Sequence, residues 1–129
     1  MRGVFLTSQA AAVRMQSGGR IITIGTCMTQ RVPGPGGTLY ATSKAALIGL
    51  TKALARALGG RGITANIVHP GPIDTDMNPA DGVYTAGQAA MTALRRFGTT
   101  DEVAATVAYL AGADYVTGAE FAVDGGHAA

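Results

Sequence analysis

The sequence predicts an open α/β layer, a short parallel sheet of about three strands with helices on its faces. Three observations predict it. Short β-branched runs alternate with stretches of helical periodicity. The runs are separated by far more residues than a hairpin allows, so they pair in parallel through crossovers. Glycine or proline clusters mark each change of pattern. The order is helix, strand, helix, strand, irregular helical excursion, helix, strand, and at this length residues 1–129 read as one domain.

The first element is a helix over residues 2–17: Val4, Phe5, Ser8, Ala11, Ala12 and Met15 share one face, and Gly18-Gly19 end it. No residue ahead of it offers a cap. Arg20-Ile-Ile-Thr-Ile-Gly25 is a β-branched run between glycines, predicted as a strand buried on both faces. Cys27 to Gly37 carries Pro33-Gly34-Pro35-Gly36-Gly37 and reads as loop. From Tyr40 to Leu58 the pattern is helical again, with Leu47, Leu50, Leu54 and Leu58 at three- and four-residue steps and Gly59-Gly60 as the stop. Ile63 to His69 is the second strand, which Pro70-Gly71-Pro72 is expected to end. Residues 74–86, rich in Asp, Asn, Pro and Gly, read as a mobile surface excursion. Gly87 to Arg96 is predicted helical. Thr100 is expected to cap a last helix reaching about Leu110, with Asp101 and Glu102 favourably placed in its first turn. Thr117 to Asp124 supplies the third strand, before the turn Gly125-Gly126.

Composition narrows the function. With 47% hydrophobic and 14% charged residues, the chain can bury enough apolar surface to fold. Its longest apolar stretches, such as Ala45 to Leu50, fall far short of the roughly 18 residues a membrane span needs. Cys27 is the only cysteine, so no disulfide framework exists, and a lone thiol suits a reducing, cytoplasmic setting. The pI near 9.0 invites a nucleic-acid reading. The ten basic residues are scattered, however, with only Arg95-Arg96 adjacent, which describes a solvated surface. Two well-separated histidines provide no metal cluster.

The chemistry concentrates at the second helix. Tyr40-Ala-Thr-Ser-Lys44 places a phenol and an ammonium one turn apart, near the positive end of the helix dipole. Both influences favour the phenolate form, so the pair can exchange a proton. Thr26 stands at the carboxyl end of the preceding strand and Pro70-Gly71-Pro72-Ile73-Asp74-Thr75 at that of the next. Open α/β sheets bind ligands at that edge, so the three elements should converge on one crevice.

This arrangement resembles the short-chain dehydrogenase/reductase family. The resemblance rests on Gly19-Arg-Ile-Ile-Thr-Ile-Gly25, Tyr40-Ala-Thr-Ser-Lys-Ala-Ala46, Gly62-Ile-Thr-Ala-Asn-Ile-Val-His-Pro-Gly71 and Val116-Thr-Gly together with Val-Asp-Gly-Gly126, and it spans essentially the whole chain. It implies a partial Rossmann-like, doubly wound fold and an NAD- or NADP-dependent oxidoreductase that interconverts a carbonyl and an alcohol on a small-molecule substrate. By the same resemblance Tyr40 is the general acid/base, and Lys44 supports it and contacts the nicotinamide ribose. Pro70, Gly71, Ile73 and Thr75 line the nicotinamide and pyrophosphate. Asp76 to Leu94 corresponds to the variable substrate lid.

Two departures stand out. The family's catalytic serine is replaced: Thr26 lies fourteen residues before Tyr40, one more than usual, while Cys27 has the usual spacing. Thr26 is the preferred counterpart, since a hydroxyl donates a hydrogen bond to a carbonyl and a thiol does so weakly. Further, no segment matches the family's Thr-Gly-x-x-x-Gly-x-Gly phosphate-binding turn. Gly34-Pro-Gly36-Gly37 and Gly59-Gly-Arg-Gly62 read as loop and helix stop. The chain thus looks like the carboxyl-terminal half of such an enzyme and is expected to be inactive alone. In the intact family the helices at 2–17 and 38–58 build one dimer contact and the last strand a second, so a homo-oligomer is implied, with Ala10, Ala11, Ala12, Ala53, Ala55 and Ala57 small enough for close helix contact. A non-catalytic oligomerisation module is the alternative. A Cys27–His69 nucleophile pair, both residues lying just past strand ends, is a third.

Overall fold

In the computed structural model, which describes residues 1–129, the central strand collects the core. Strand β1 (Arg20–Ile24) pairs in parallel with β2 (Thr64–Pro70), which pairs in parallel with β3 (Glu120–Val123), in the order β1-β2-β3. Arg20 faces Thr64, and Ile67 faces Glu120. Helix α1 (Arg2–Arg14) precedes the sheet and α2 (Thr38–Leu58) crosses from β1 to β2. Between β2 and β3 come the short α3 (Thr85–Ala90) and α4 (Thr100–Gly112). Leu47, Ile63, Ala65, Ile67, Val68 and Leu110 are the innermost side chains, each nearly or fully removed from water. Burying one such aliphatic side chain contributes roughly 1.5–3 kcal/mol. No helix is long and apolar enough to cross a membrane.

Several boundaries differ from the sequence reading, each for a local reason. α1 stops at Arg14 rather than 17, and its face is only half covered: Ser8 alone is buried. β1 is not buried on both faces. It is the edge of the sheet, and Ile24 is 46% exposed. β2 runs through Pro70, because proline's missing N–H is no loss at the final position, where it sits opposite Val123. The segment 27–37 begins with a 3-10 turn at Cys27–Thr29, capped by the Thr26 hydroxyl, which accepts from the Met28 N–H. The glycine cluster after it does lie between β1 and α2, with Gly37 immediately before the helix.

The predicted helix at 87–96 is α3, which starts earlier and ends by Ala90. Beyond it the Thr92 hydroxyl accepts from Arg96 N–H, and Arg95 adopts a left-handed φ of 57°. Thr99, not Thr100, caps α4: its hydroxyl accepts from Glu102 N–H while the Glu102 carboxylate accepts from Thr99 N–H, a reciprocal box that needs Glu three residues on. β3 is shorter than 117–124. Gly118 takes a φ of 71°, and residues 117–119 hold β2 partly through side chains: Thr117 Oγ1 accepts from Ala65 N–H, and buried Asn66 donates to Val116 O and accepts from Ala119 N–H. Ala55 is packed inward, facing Gly118, rather than outward; Ala10, Ala53 and Ala57 are exposed and Ala11 and Ala12 half-buried.

Candidate active site

Because the strands are parallel, their carboxyl ends share one edge, and the start of α2 rises beside it. A cavity of about 830 Å³ opens there, lined by Gly25, Thr26, Tyr40, Lys44, Pro70, Gly71, Ile73 and Thr75 among others. Thr26, Tyr40, Lys44, Pro70, Gly71, Ile73 and Thr75 therefore lie on one concave surface, while Cys27 and His69 do not line it.

Tyr40 and Lys44 sit on successive turns of α2, with Lys44 Nζ 5.8 Å from the centre of the Tyr40 ring. Lys44 Nζ also donates to the Ile24 carbonyl at 3.3 Å, which ties the helix start to the end of β1. Ser43 Oγ donates to the Tyr40 carbonyl. Thr26 lies just past β1 on the cavity wall, with its hydroxyl oxygen accepting from Met28 N–H. Pro70 to Thr75 form the floor. Gly71 N–H donates to Val123 O, and the bridge between Ile73 and Gly98 uses the N–H groups of Asp74 and Gly98. The N–H of Ile73, a residue on the cavity wall, finds no acceptor within the chain.

Cys27 is turned away from the cavity and 4% exposed. Burial first, and the nearby Asp124 carboxylate second, push its thiol up to about 11. The Cys27–His69 nucleophile pair is not assembled: the ring of His69 meets Thr26 and Thr29, and a thiol so raised carries almost no thiolate at neutral pH.

Sequence reasoning missed part of the cavity wall. Thr100, Val103, Ala104, Val107, Ala108 and Ala111 of α4 line it, with Met77 and Asn78 of the excursion. The signal was present, since Val103, Val107 and Ala111 recur every four residues on one helix face. Outside this cavity, along a neighbouring one, Arg96 makes a two-point ion pair with Glu102, whose carboxyl is held at about 2, first by hydrogen bonds from Arg96 and then from the Thr99 backbone.

A parallel α/β layer with a cavity at its strand ends is the architecture of the dinucleotide-fold class. Residues 1–128 match the family model described as enoyl-(acyl carrier protein) reductase, and the chain belongs to the short-chain dehydrogenase/reductase family. It is 49% identical over 120 residues to the cyclic-di-GMP-binding biofilm dispersal mediator protein of Escherichia coli (strain K12), covering 92% of this chain and 51% of that one. It is 40% identical over 131 residues to the 3-oxoacyl-[acyl-carrier-protein] reductase of Synechocystis sp. (strain ATCC 27184 / PCC 6803 / Kazusa), covering 98% and 52%. Among solved structures, a blue fluorescent protein from a metagenomic library in complex with NADPH superposes with a TM-score of 0.97 at 56% identity, over 100% of this chain and 53% of that one. A short-chain dehydrogenase from Burkholderia cenocepacia J2315 in complex with NADP does so with a TM-score of 0.97 at 51% identity, over 100% and 54%. The chain spans about half the length of the relatives it matches.

Proposed function

We propose that this chain carries the proton-transfer half of a nicotinamide-dependent carbonyl/alcohol oxidoreductase. The observation that carries the reading is the convergence of Thr26, Tyr40, Lys44 and Pro70–Thr75 on one cavity. In carbonyl reduction the Thr26 hydroxyl donates a hydrogen bond to the substrate oxygen, and the Tyr40 hydroxyl transfers its proton there as negative charge develops. The Lys44 ammonium stabilises the phenolate left behind; alcohol oxidation runs the same steps backwards.

The residues present fit a nicotinamide riboside: an ammonium and a phenol for the ribose hydroxyls, the free Ile73 N–H for a carboxamide, and the Thr75 hydroxyl beside them. When bound, the nicotinamide supplies or accepts the hydride. The cofactor with which two of the solved relatives were captured, NADPH or NADP, is the one proposed here. The glycine cluster before α2 is separated from β1 by the turn at Cys27–Thr29, so in this reading the phosphates are held by the part of the relatives' length that this chain does not span. Accordingly, ketone-dependent loss of NADPH absorbance is expected to be absent with the chain alone and to appear once the amino-terminal half of the Synechocystis relative is supplied. Turnover by the chain alone would contradict the half-site reading.

A second reading is favoured by one observation. A groove of about 280 Å³ between α1 and α2 exposes Phe5, Ala12, Val13, Leu50 and Leu54, an apolar surface suited to self-association as a homo-oligomer or to non-catalytic assembly. Sedimentation separates the readings: a stable oligomer that binds no nicotinamide would support assembly without catalysis.

A further inference from the structure

The buried imidazole of His69 has no part in the proton transfer above, yet it joins the cavity wall to a charged pair outside it. We propose that His69, held with its ring proton on Nε2 by Glu120 and Lys52, is a positioning residue for Thr26. This inference rests on the role given to Thr26 in carbonyl reduction.

His69 is fully buried, and the two ring nitrogens face opposite ways. On one side, Nδ1 lies 3.3 Å from the Thr26 N–H and 3.1 Å from the Thr26 carbonyl. On the other, Nε2 lies 3.4 Å from Glu120 Oε2, whose other oxygen is 2.9 Å from Lys52 Nζ. A carboxylate only accepts, so a lone pair on the buried Nε2 would face negative charge, whereas the Thr26 carbonyl beside Nδ1 already accepts from Thr29 N–H and Thr29 Oγ1. The proton of the neutral ring therefore belongs on Nε2, leaving Nδ1 as an acceptor for the Thr26 N–H, which has no other partner. An unpaired N–H there would carry the penalty of a buried unsatisfied donor. The imidazole also packs hard against the chain before Thr26: a Cβ on Gly25 would come within 2.6 Å of Nδ1. Both contacts locate the backbone of Thr26, which lines the cavity. The ring is held at the far side by β3, the strand furthest from Thr26 in the sheet. Its partner Glu120 is in turn oriented by Lys52 of α2.

Lys52 makes the arrangement testable. In Glu120→Gln the side chain has one oxygen, which stays with the Lys52 ammonium, so its NH2 group turns toward His69. Nε2 must then accept, the ring proton moves to Nδ1, and the Thr26 N–H loses its acceptor. In Lys52→Met/Glu120→Gln the amide can rotate, and its oxygen again accepts from Nε2–H. Proton-detected nitrogen NMR on the 129-residue chain reads the tautomer of His69, and amide exchange reads Thr26. Expected are an Nε2-protonated ring with a protected Thr26 amide, and an Nδ1-protonated ring with exchange of that amide about tenfold faster in Glu120→Gln. The double variant is expected to return the ring to Nε2. An Nδ1-protonated ring in the unaltered chain, or a tautomer indifferent to Glu120→Gln, would overturn the proposal; if that variant does not fold, the unaltered chain decides alone. None of these readouts depends on turnover. Loss of the reaction with the tautomer as expected would therefore count against the proposed function and not against this inference.

Discussion

Across one cavity, the strand-end wall and the outer rim are built in opposite ways. Thr26 is 7% exposed and His69 0%, whereas on the helix side Tyr40 is 47% and Leu39 83% exposed. The wall behaves as core, and stability and alignment reside there. The rim carries Tyr40 and Lys44, the groups proposed to transfer the proton, on a helix start open to solvent. Substitutions on the two sides should therefore differ in how far they perturb stability, with Thr26 belonging to both accounts.

The largest effect should come from the wall. Ile67→Ala empties a fully buried site on the central strand and should destabilise by about 2–5 kcal/mol in denaturant titration; a smaller loss would mean that the three-stranded sheet collapses readily around the gap. Next, Thr26→Val in the enzyme completed with an amino-terminal half keeps the shape but removes the hydroxyl. It should lower kcat by about 10²–10³ and, because the hydroxyl also caps the Cys27–Thr29 turn, cost only about 1 kcal/mol of stability. A large drop in stability with turnover preserved would place Thr26 wholly on the structural side of the comparison.

Smaller effects belong to the exposed helix starts. Thr99→Ala removes the side-chain cap of α4 and should cost about 1 kcal/mol in the same titration. Leu39→Ala, at a side chain largely in water, should change stability by less than about 0.5 kcal/mol. Least in size is an acid effect at Glu102. Its carboxyl is lowered from 4.5 to about 2 in the folded chain, so its contribution is present above the unfolded value and fades as pH falls through the folded one. Between those two pH values, Glu102→Gln should flatten the decline in stability that the unaltered chain shows.

The same division explains what could be read from residue order. The wall was legible in outline, because β-branched runs and the Pro70-Gly71 stop mark strand ends and the edge at which ligands gather. Tyr40 and Lys44 were legible because helical spacing places them one turn apart. Less accessible were features set by tertiary contact. β1 looked like a doubly buried strand from Ile21, Ile22 and Ile24, yet its place at the sheet edge leaves Ile24 open. β3 looked longer because Thr117 and Ala119 do bond to β2, but Asn66 and Thr117 complete that pairing with side chains, which no periodicity reveals. His69 and Glu120 lie on adjacent strands, and only the register of β2 against β3 brings them together. The choice of Thr99 over Thr100 as cap could have been made from Glu102 alone, since only Thr99 has an acidic residue three positions on.

Tyr40→Phe in the completed enzyme tests the central claim most directly, with ketone-dependent NADPH oxidation as the readout and circular dichroism as the control for folding. A fall of about 10²–10⁴ in turnover with the spectrum unchanged is the result expected if the phenol at the start of α2 delivers the proton. Turnover equal to that of the unaltered enzyme would contradict it.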